Sequence, residues 1–227
     1  MPTLGQDDIN HQNKTALFDV IAEVAGALSA GRRMEIIDIL AQGERSVEEI
    51  ALEVQQSIAN TSHHLRTLAR SGLISSRRDG KHIFYRLAND QVEEVWIALK
   101  RAAESVRPDL EHLADAYLGD LTEVHTVDRD KLLEQMAQGS VTVVDVRPLP
   151  EYRAGHIPGA RSIPFSELAC RIAELPRDIP VVAYCRGPYC VFAPAAVRTL
   201  RTSGLTAFRL VDGFPEWRRD GLPTEVG

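Results

Sequence analysis

The hydrophobic pattern changes near the middle of this chain, and that change is the strongest constraint on its fold. In the first half, apolar residues such as Leu17, Ile21 and Leu28 recur at helical spacing. In the second half, continuous apolar runs at 141–146 and 180–184 alternate with helical stretches, which is typical of parallel strands covered on both faces. We therefore predict a multidomain chain, with an all-α domain carrying a small β element followed by an α/β domain with a parallel sheet. The predicted boundaries are 1–118 for the first domain, 119–125 for a linker and 126–227 for the second domain.

Composition excludes several classes of protein. Of the 227 residues, 44% are hydrophobic and 26% are charged, so collagen-like and wholly disordered chains are excluded. The sequence has neither a leader pattern nor an uncharged apolar stretch approaching the roughly 18 residues of a membrane span. The chain has three cysteines, and so small and odd a number is not typical of the disulfide framework of a secreted protein. We expect a cytoplasmic protein that does not contact a membrane.

In the first domain, the pattern predicts a helix-turn-helix followed by a β hairpin. Ser46-Val-Glu-Glu49 is a capping-box signature for a short helix, and a further helix is predicted over 57–70. Asp79-Gly80 suits a tight turn between strands at 73–78 and 81–87. This order of elements is that of a winged helix-turn-helix.

Charge along the chain points to a DNA-binding surface on this domain. The net charge is −6, but residues 54–86 contain six basic residues and one acidic residue. At about 100° per residue, Ile58 and Leu65 fall on the inward face of the 57–70 helix, and small polar side chains able to contact base edges fall opposite. Hairpin arginines would contact phosphate. A solvated surface is the alternative for these residues taken singly. The candidate DNA-binding residues are Ser57, Asn60, Thr61, His63, His64, Arg66, Arg77, Arg78 and Lys81.

A long apolar stripe follows the hairpin. Between Asp90 and Tyr117 apolar residues recur at a spacing near 3.5 residues, which suits the pairing of helices. We expect a helix break near Pro108. The stripe predicts a homodimer interface, and packing on the core of its own domain is the alternative.

The stretch SVEEIALEVQQSIANTSHHLRTLARSGLISSRRDGKHIFYRL resembles the winged helix-turn-helix of the arsenic-repressor (ArsR/SmtB) family, and the resemblance covers about the first 118 residues. It implies a homodimeric repressor that binds an inverted repeat in double-stranded operator DNA. It does not extend to a metal sensor, because Ser46-Val47-Glu48 stands where many members have Cys-Val-Cys and the first 120 residues contain no cysteine. We predict neither a metal site nor a cofactor.

All three cysteines lie in the second half, two of them on one short segment. A predicted buried strand leads into Cys185-Arg186-Gly187-Pro188-Tyr189-Cys190, and Pro194 lies in the first turn of the following helix. Loop amides, the helix N-terminus and the cation of Arg186 favour a thiolate. We predict that Cys185 is exposed, acidic and nucleophilic, and that Cys170 is structural. An inert buried cysteine is the alternative for Cys185.

Residues 122–225 resemble the rhodanese sulfurtransferases. The resemblance implies that Cys185 carries a persulfide held by amides of the loop from Arg186 to Cys190, and that Asp145, paired with a basic residue, and Arg147 support the site. Trp217 is interpreted as a core anchor. The matching motifs, in family order, are Asp145-Val-Arg147, Glu151-Tyr152, Gly155-His-Ile-Pro-Gly-Ala160, Ile163-Pro164, the Cys185 loop and Asp212-Gly-Phe-Pro-Glu-Trp217.

The residue just after the loop separates two reactions that this fold supports. Related phosphatases and arsenate reductases need an arginine six positions after the cysteine, where this chain has Val191. Cys190 is unusual for a rhodanese loop. Either it attacks a modified Cys185 to form a disulfide or sulfur-bridged pair, or it only packs beneath the loop.

These features predict a DNA-binding transcription repressor whose rhodanese domain takes up sulfane sulfur on Cys185, with the sulfur state altering DNA binding. The donor would be thiosulfate, a polysulfide or a low-molecular-weight persulfide. One alternative is a sulfurtransferase enzyme whose helical domain serves mainly for dimerisation. Another is a DNA-binding protein whose rhodanese domain has only an interaction role.

Overall fold

The computed structural model describes residues 4–119, 121–122 and 124–227, with the backbone alone at 4–9. Two compact units make up the chain, Met1–Trp96 and Ile97–Gly227. The division falls inside a helix and not in the segment 119–125, so the sequence-based boundaries stay a prediction. Residues 1–3 of the predicted first domain, and residues 120 and 123 of the predicted linker, lie outside the described residues.

The first unit contains helices and a three-stranded antiparallel sheet with strand order β1-β3-β2. Helices α3 and α4 form the helix-turn-helix, and β2 and β3 form the wing, as predicted. The elements are α1 (Leu4–Leu28), α2 (Gly31–Ala41), β1 (Arg45–Ser46), α3 (Val47–Glu53), α4 (Ile58–Arg70), β2 (Ile74–Asp79), β3 (His82–Leu87) and the start of α5 (Asp90–Val106).

Local sequence signals set the starts of the two helices of the helix-turn-helix. The side chain of Ser46 accepts the Glu49 N–H, and the Glu49 carboxylate accepts the Ser46 N–H at 2.7 Å, which is the predicted capping box. The hydroxyl of Ser57 accepts the Asn60 N–H at 3.2 Å and begins α4. Both starts agree with the sequence prediction.

The wing turn lies one residue later than predicted. Asp79 pairs with His82, so Gly80 and Lys81 form the two-residue turn. Gly80 has a φ of +60°, which a glycine adopts without steric cost. The hairpin itself is confirmed.

One hydrophobic core holds the helices of this unit together, with Ile36, Ile50, Leu65 and Leu68 all fully buried. Much of α1 stays outside that core. Its side chains Leu17, Phe18, Val20 and Ile21 are between 57% and 63% exposed, although their spacing is that of an amphipathic helix.

The second unit has a five-stranded parallel sheet with order β4-β8-β7-β5-β6. Its helices include the rest of α5, and the predicted break near Pro108 separates α5 from α6. The further elements are α6 (Asp109–Leu118), β4 (Thr126–Val127), α7 (Arg129–Ala137), β5 (Thr142–Asp145), α8 (Leu149–Ala154), β6 (Arg161–Ser162), α9 (Phe165–Arg171), a 3₁₀ turn (Ile172–Glu174), β7 (Val181–Tyr184), α10 (Phe192–Thr202), β8 (Ala207–Leu210) and α11 (Phe214–Arg219).

The central strands β5 and β7 position the cysteine loop. Every residue of both strands is buried, which explains why the sequence shows continuous apolar runs there. Asp145 and Tyr184 are paired in register at the ends of the two strands, so the residues that follow them meet at one edge of the sheet. Trp217 is fully buried and donates its ring N–H to the Pro223 carbonyl at 2.8 Å, in agreement with a structural role.

Among the helices that the structure describes, none is both long enough and apolar enough for a membrane span.

Candidate functional site

The exposed face of α4 carries most of the side chains that the sequence assigned to base reading. Asn60, His63 and Arg66 are exposed, and Arg70 extends the same surface toward the end of the helix. Ser57 is exposed as well, but its hydroxyl caps the helix. The first two turns of α4 therefore present amide, imidazole and guanidinium groups to solvent.

Thr61 is an exception, and its predicted role in base reading is wrong. Its side chain is fully buried on the same face as Leu65 and Leu68, whereas Ile58, predicted to face inward, is 53% exposed. Positions 61, 65 and 68 follow the helical repeat and form the core-facing stripe of α4. This stripe therefore begins at Thr61 and not at Ile58, three positions earlier.

His64 is partly buried and differs from its neighbour His63. Partial burial lowers the pKa of His64, and the nearby positive charge of Arg33 lowers it further. The ring is consequently neutral at pH 7, so His64 does not contribute a cation to the surface.

Of the three wing cations predicted to contact phosphate, Arg77 and Arg78 have identified partners within the hairpin or beside it. Arg77 donates to both carboxylate oxygens of Glu44, at 2.5 to 3.0 Å, and lies 4.7 Å from the centre of the Phe84 ring. The Nε of Arg78 donates to the Gly80 carbonyl at 3.1 Å. Because Arg77 is paired with Glu44, a phosphate group would compete with this carboxylate for the guanidinium. Lys81 is exposed at the turn.

Cys185 lies at the end of β7, but its surroundings differ from those predicted. The residue is only 2% exposed, and the carbonyl oxygens of Gly187 and Cys190 lie 3.9 and 3.8 Å from its Sγ. Burial raises the pKa of the Cys185 thiol well above its ordinary value, although N–H groups of Gly187 and Ala193 act in the opposite direction. The prediction of an exposed, acidic Cys185 is wrong for this conformation, because burial outweighs the loop amides.

Cys190 is the acidic thiol of the loop. Burial opposes its charged form, but hydrogen bonds from the Cys185 thiol and the Arg186 N–H, together with the charge of Arg186 and the Phe192 N–H, lower the pKa of the Cys190 thiol to about 7. The group is partly exposed, whereas Cys185 is buried. Sequence reasoning identified the pair and expected the lowered pKa on Cys185, whereas burial raises the pKa of that thiol.

Side chains from three other elements and the backbone of Gly213 contact the loop. Glu151 of α8, fully buried, accepts hydrogen bonds from Arg186 at 2.5 and 3.1 Å. Arg209 of β8 donates to the Pro188 carbonyl at 2.6 Å. Tyr189 of the loop donates its hydroxyl to Glu104 of α5 at 2.6 Å. The backbone of Arg186 and Gly187 lies so close to Gly213 that a Cβ on Gly213 would overlap it.

The pair Asp145 and Arg147 supports this edge of the sheet, as the sequence predicted. Both residues are fully buried and their side chains form an ion pair at 2.6 Å. Tyr184 donates its hydroxyl to the Asp145 carboxylate at 2.7 Å, and Arg147 also donates to the Gly155 carbonyl. The network fixes the ends of β5 and β7, immediately before the cysteine loop.

The structure adds residues that local pattern did not reveal. Lys100 of α5 is buried and donates to the Glu216 carboxylate at 3.1 Å, and Glu216 accepts the Gly213 N–H beneath the loop. The sequence assigned the apolar stripe of α5 to dimerisation or to packing on its own domain, and no motif indicated contacts with residues about a hundred positions away. The third cysteine, Cys170, is exposed on α9 and not part of the core.

Within residues 4–119, 121–122 and 124–227, no three His, Cys, Asp or Glu side chains are grouped in a way that would hold a metal ion.

Both parts of the chain match known families. Residues 31–76 match the arsR family of bacterial regulatory proteins, and residues 128–220 match the Rhodanese-like domain. The chain is 45% identical to the HTH-type transcriptional regulator Rv0324 of Mycobacterium tuberculosis, over 98% of this chain and 96% of that protein.

Two shorter relatives each match one part. The HTH-type transcriptional regulator KmtR of Mycobacterium tuberculosis is 35% identical over 40% of this chain and 70% of its own length. A protein of Allochromatium vinosum named Sulfurtransferase is 32% identical over 44% of this chain and 94% of its own length. Since the first relative spans nearly all of both chains, this chain belongs to the arsR family of HTH-type transcriptional regulators and carries a rhodanese-like domain after its helix-turn-helix.

Proposed function

We propose that this chain is a homodimeric transcriptional repressor that binds operator DNA through α4 and the wing, and that its DNA binding changes when the cysteine loop takes up sulfane sulfur. The observation that carries the DNA-binding part is the exposed polar face of α4, with Asn60, His63 and Arg66 side by side in solvent. A helix of this kind fits the major groove, where amide and guanidinium groups bond to base edges.

Basic side chains around α4 support the orientation of this surface toward DNA. Arg70 at the end of the helix and Arg78 and Lys81 on the wing are exposed, and cations in such positions contact phosphate and fix the register of a protein on the duplex. The rest of the chain is acidic and repels a polyanion, so we expect DNA to contact this basic face.

An exposed apolar face on α1 supports the homodimer. Leu17, Phe18, Val20 and Ile21 are each more than half exposed, and a contiguous patch of this kind marks an interaction surface. The predicted stripe on α5 and α6 contributes only in part, because Val95, Val106, Leu113 and Tyr117 are exposed whereas Val92 is buried. A second copy of the chain is the occupant we propose, since a two-fold dimer presents two recognition helices to an inverted repeat.

Close packing around Cys185 supports a switch. The thiol is 2% exposed and two carbonyl oxygens lie 3.8 and 3.9 Å from its Sγ, so we expect an added sulfur atom to displace the loop. Tyr189 of that loop is hydrogen bonded to Glu104 of α5, a helix that begins within the first unit. Displacement of the loop therefore acts on a helix shared with the DNA-binding unit.

The test measures binding of the full chain to a fragment of the promoter of its own operon, by footprinting and fluorescence anisotropy. We expect glutathione persulfide to change the affinity of the wild-type protein by at least about tenfold, a typical allosteric coupling. The Cys185→Ser variant is expected to bind without responding, and Cys170→Ser, which changes an exposed cysteine outside the loop, is expected to respond normally.

Three outcomes would contradict parts of this proposal. Specific binding that responds equally in wild type and Cys185→Ser would remove the switch. Specific binding by a protein that gains no sulfur in intact-mass measurement would leave the rhodanese-like domain with an interaction role only. Absence of any specific footprint would remove the repressor.

A sulfurtransferase enzyme is the second candidate, and the likeness to the protein named Sulfurtransferase favours it. The buried position of Cys185 favours it less, because repeated turnover needs ready access to the thiol. Many turnovers per minute with thiosulfate and cyanide, by a protein that binds no promoter fragment, would establish the enzyme in place of the regulator.

A further inference from the structure

The cations around the cysteine loop differ in whether a carboxylate neutralises them. Arg186 of the loop is paired with the fully buried Glu151 at 2.5 Å. The buried ammonium of Lys100 is paired with Glu216 at 3.1 Å. Arg209 of β8 is buried as well, with 7% of its surface exposed, but no carboxylate among the described residues forms an ion pair with it. Its charge is therefore uncompensated within the part of the chain that the structure describes.

Arg209 also lies directly against the loop. Strand β8 pairs with β7 so that Arg209 is beside Ala183, two residues before Cys185. A terminal nitrogen of its guanidinium donates to the Pro188 carbonyl at 2.6 Å. A guanidinium has five N–H donors, so this single carbonyl takes up only part of its capacity. Because burial of a charge without a counter-charge is costly, the arrangement indicates that an anion completes the site.

On the basis of the proposed uptake of sulfane sulfur, we propose that Arg209 supplies the positive charge that stabilises an anionic persulfide on Cys185. A persulfide ionises more readily than the thiol from which it forms, so loading adds a negative charge to the loop. The charges of Arg186 and Lys100 are already balanced by carboxylates. Arg209 is the cation beside the loop whose charge is available to the added sulfur.

The loading step balances without an outside oxidant or reductant. The sulfur of Cys185 attacks the outer sulfur of glutathione persulfide, GS–SH. A sulfur–sulfur bond forms on Cys185, the donor's sulfur–sulfur bond breaks, and glutathione leaves as GS⁻ and takes up the proton of the Cys185 thiol. The new persulfide then gives its own proton to water. At a fixed ratio of GS–SH to glutathione, the ratio of loaded to free Cys185 therefore reports how well the loop stabilises the anion.

Two substitutions at position 209 separate the charge from the hydrogen bond. Arg209→Lys keeps a cation and a donor for the Pro188 carbonyl, whereas Arg209→Gln keeps an N–H donor without the charge. Arg153→Gln, at an exposed arginine of α8, is the matched control. All are made in the full-length chain with Cys170→Ser, which removes the exposed cysteine outside the loop.

The added sulfur is measured on Cys185 itself. Each protein is equilibrated with GS–SH and glutathione at a fixed ratio, alkylated with iodoacetamide and digested with trypsin. Cleavage after Arg177 and Arg186 places Cys185 in peptide 178–186. Mass spectrometry of this peptide then gives the ratio of loaded to free Cys185.

We expect Arg209→Gln to lower this ratio by at least about tenfold, because an opposite charge nearby commonly favours an ionised group by a factor of about 10 to 1,000. Arg209→Lys should retain most of the loading, and Arg153→Gln should match the parent. A ratio in Arg209→Gln equal to that of the parent would overturn the role of the charge, and so would equal losses in Arg209→Gln and Arg209→Lys. Absence of extra sulfur in the parent would instead overturn the proposed uptake of sulfur.

A neutral group loaded on the same thiol guards against variants that only disturb the loop. The mixed disulfide of glutathione and methanethiol transfers a methylthio group to Cys185 and releases glutathione, so the product carries no charge. Arg209→Gln should therefore reach the same ratio of methylthio-loaded to free Cys185 as the parent. A loss of methylthio loading as large as the loss of sulfur would show that Arg209 acts through packing, and this result would overturn the proposal.

Discussion

The guanidinium of Arg186 is hydrogen bonded to a buried carboxylate, and its charge lowers the pKa of the Cys190 thiol. Glu151 holds Arg186 through hydrogen bonds at 2.5 and 3.1 Å, and Arg186 is 12% exposed at its side chain. A cation fixed beside a thiol favours the thiolate, and here it is one of the causes of the lowered pKa of Cys190. Glu151 of α8, 39 positions before Cys190, thus holds the cation that contributes to the lowered pKa.

Replacement of this cation is the first prediction. We expect Arg186→Gln to raise the pKa of the Cys190 thiol by about one unit, since an opposite charge nearby commonly shifts a pKa by about 1–3 units. Alkylation followed over pH, with tandem mass spectrometry to assign each cysteine, measures the shift. Arg153→Gln, at an exposed arginine of α8, is the matched control and should leave the midpoint near pH 7. An unchanged midpoint in Arg186→Gln would show that hydrogen bonds alone determine the acidity.

The loop from Cys185 to Cys190 could be located from the sequence, but the protonation states of its two thiols could not be predicted from it. The amides expected to stabilise a Cys185 thiolate are present at Gly187 and Ala193. What opposes them is the burial of Cys185 and its hydrogen bond to Cys190, and both arise from tertiary packing. A five-residue spacing reveals that two thiols share a loop, and not which of them is ionised.

At the scale of the element, capping and turn signals were more reliable than the facing of side chains. The capping box at Ser46 and the N-cap at Ser57 were predictable because each depends on a few adjacent residues. The hairpin was predictable as well, although its turn lies one residue later than expected. The inward face of α4 was not, since Thr61 is buried and Ile58 exposed. Tertiary packing there overrides the local preference for placing an isoleucine inside.

A matched pair on α4 tests the corrected face. Asn60→Ala should weaken operator binding by about 5- to 150-fold, corresponding to about 1–3 kcal/mol for a lost base contact. Thr61→Val should leave operator affinity within about twofold and raise the free energy of unfolding by about 1 kcal/mol, because the buried Thr61 hydroxyl has no hydrogen-bond partner among the described residues. Anisotropy and urea unfolding measure the two quantities. A large loss of operator affinity in Thr61→Val would return Thr61 to the DNA surface.

Helix α1 gives the prediction for the dimer. Introducing a charge by Phe18→Glu should weaken self-association by at least about a hundredfold, since a buried unpaired carboxylate at an interface costs several kcal/mol. Leu52→Glu is the control, because Leu52 is 82% exposed on α3 and outside the α1 face. Sedimentation over a range of concentration measures both. A Phe18→Glu protein that stays dimeric would transfer the interface to α5 and α6.

On the scale of the whole molecule, the order of the two domains could be predicted, but the role of α5 could not. The change from helical periodicity to continuous apolar runs marks the two folds. By contrast, the contacts of Lys100 with Glu216 and of Glu104 with Tyr189 join residues 116 and 85 positions apart, and no local pattern encodes them. The apolar stripe on α5 indicated only a packing surface. It gave no sign that Lys100 and Glu104 of the same helix bind Glu216 and Tyr189 at the cysteine loop.

The hydrogen bond between Tyr189 and Glu104 therefore provides the last prediction, which concerns transmission from the loop to the DNA-binding unit. Burial and Glu104 raise the pKa of Tyr189, so its hydroxyl remains a neutral donor at physiological pH. If this bond carries the response through α5, Tyr189→Phe and Glu104→Gln should each leave sulfur uptake intact and reduce the persulfide-induced change in operator affinity by about tenfold.

The double variant decides whether the two residues act through one bond. Because each single substitution already removes the interaction, Tyr189→Phe combined with Glu104→Gln should reduce the response no further than either alone. Glu111→Gln, at an exposed carboxylate of α6, should respond as the wild type does. Additive losses in the double variant would mean that the two side chains act separately. A full response in Tyr189→Phe, in Glu104→Gln and in the double variant would show that the sulfur state reaches the DNA-binding unit by another route.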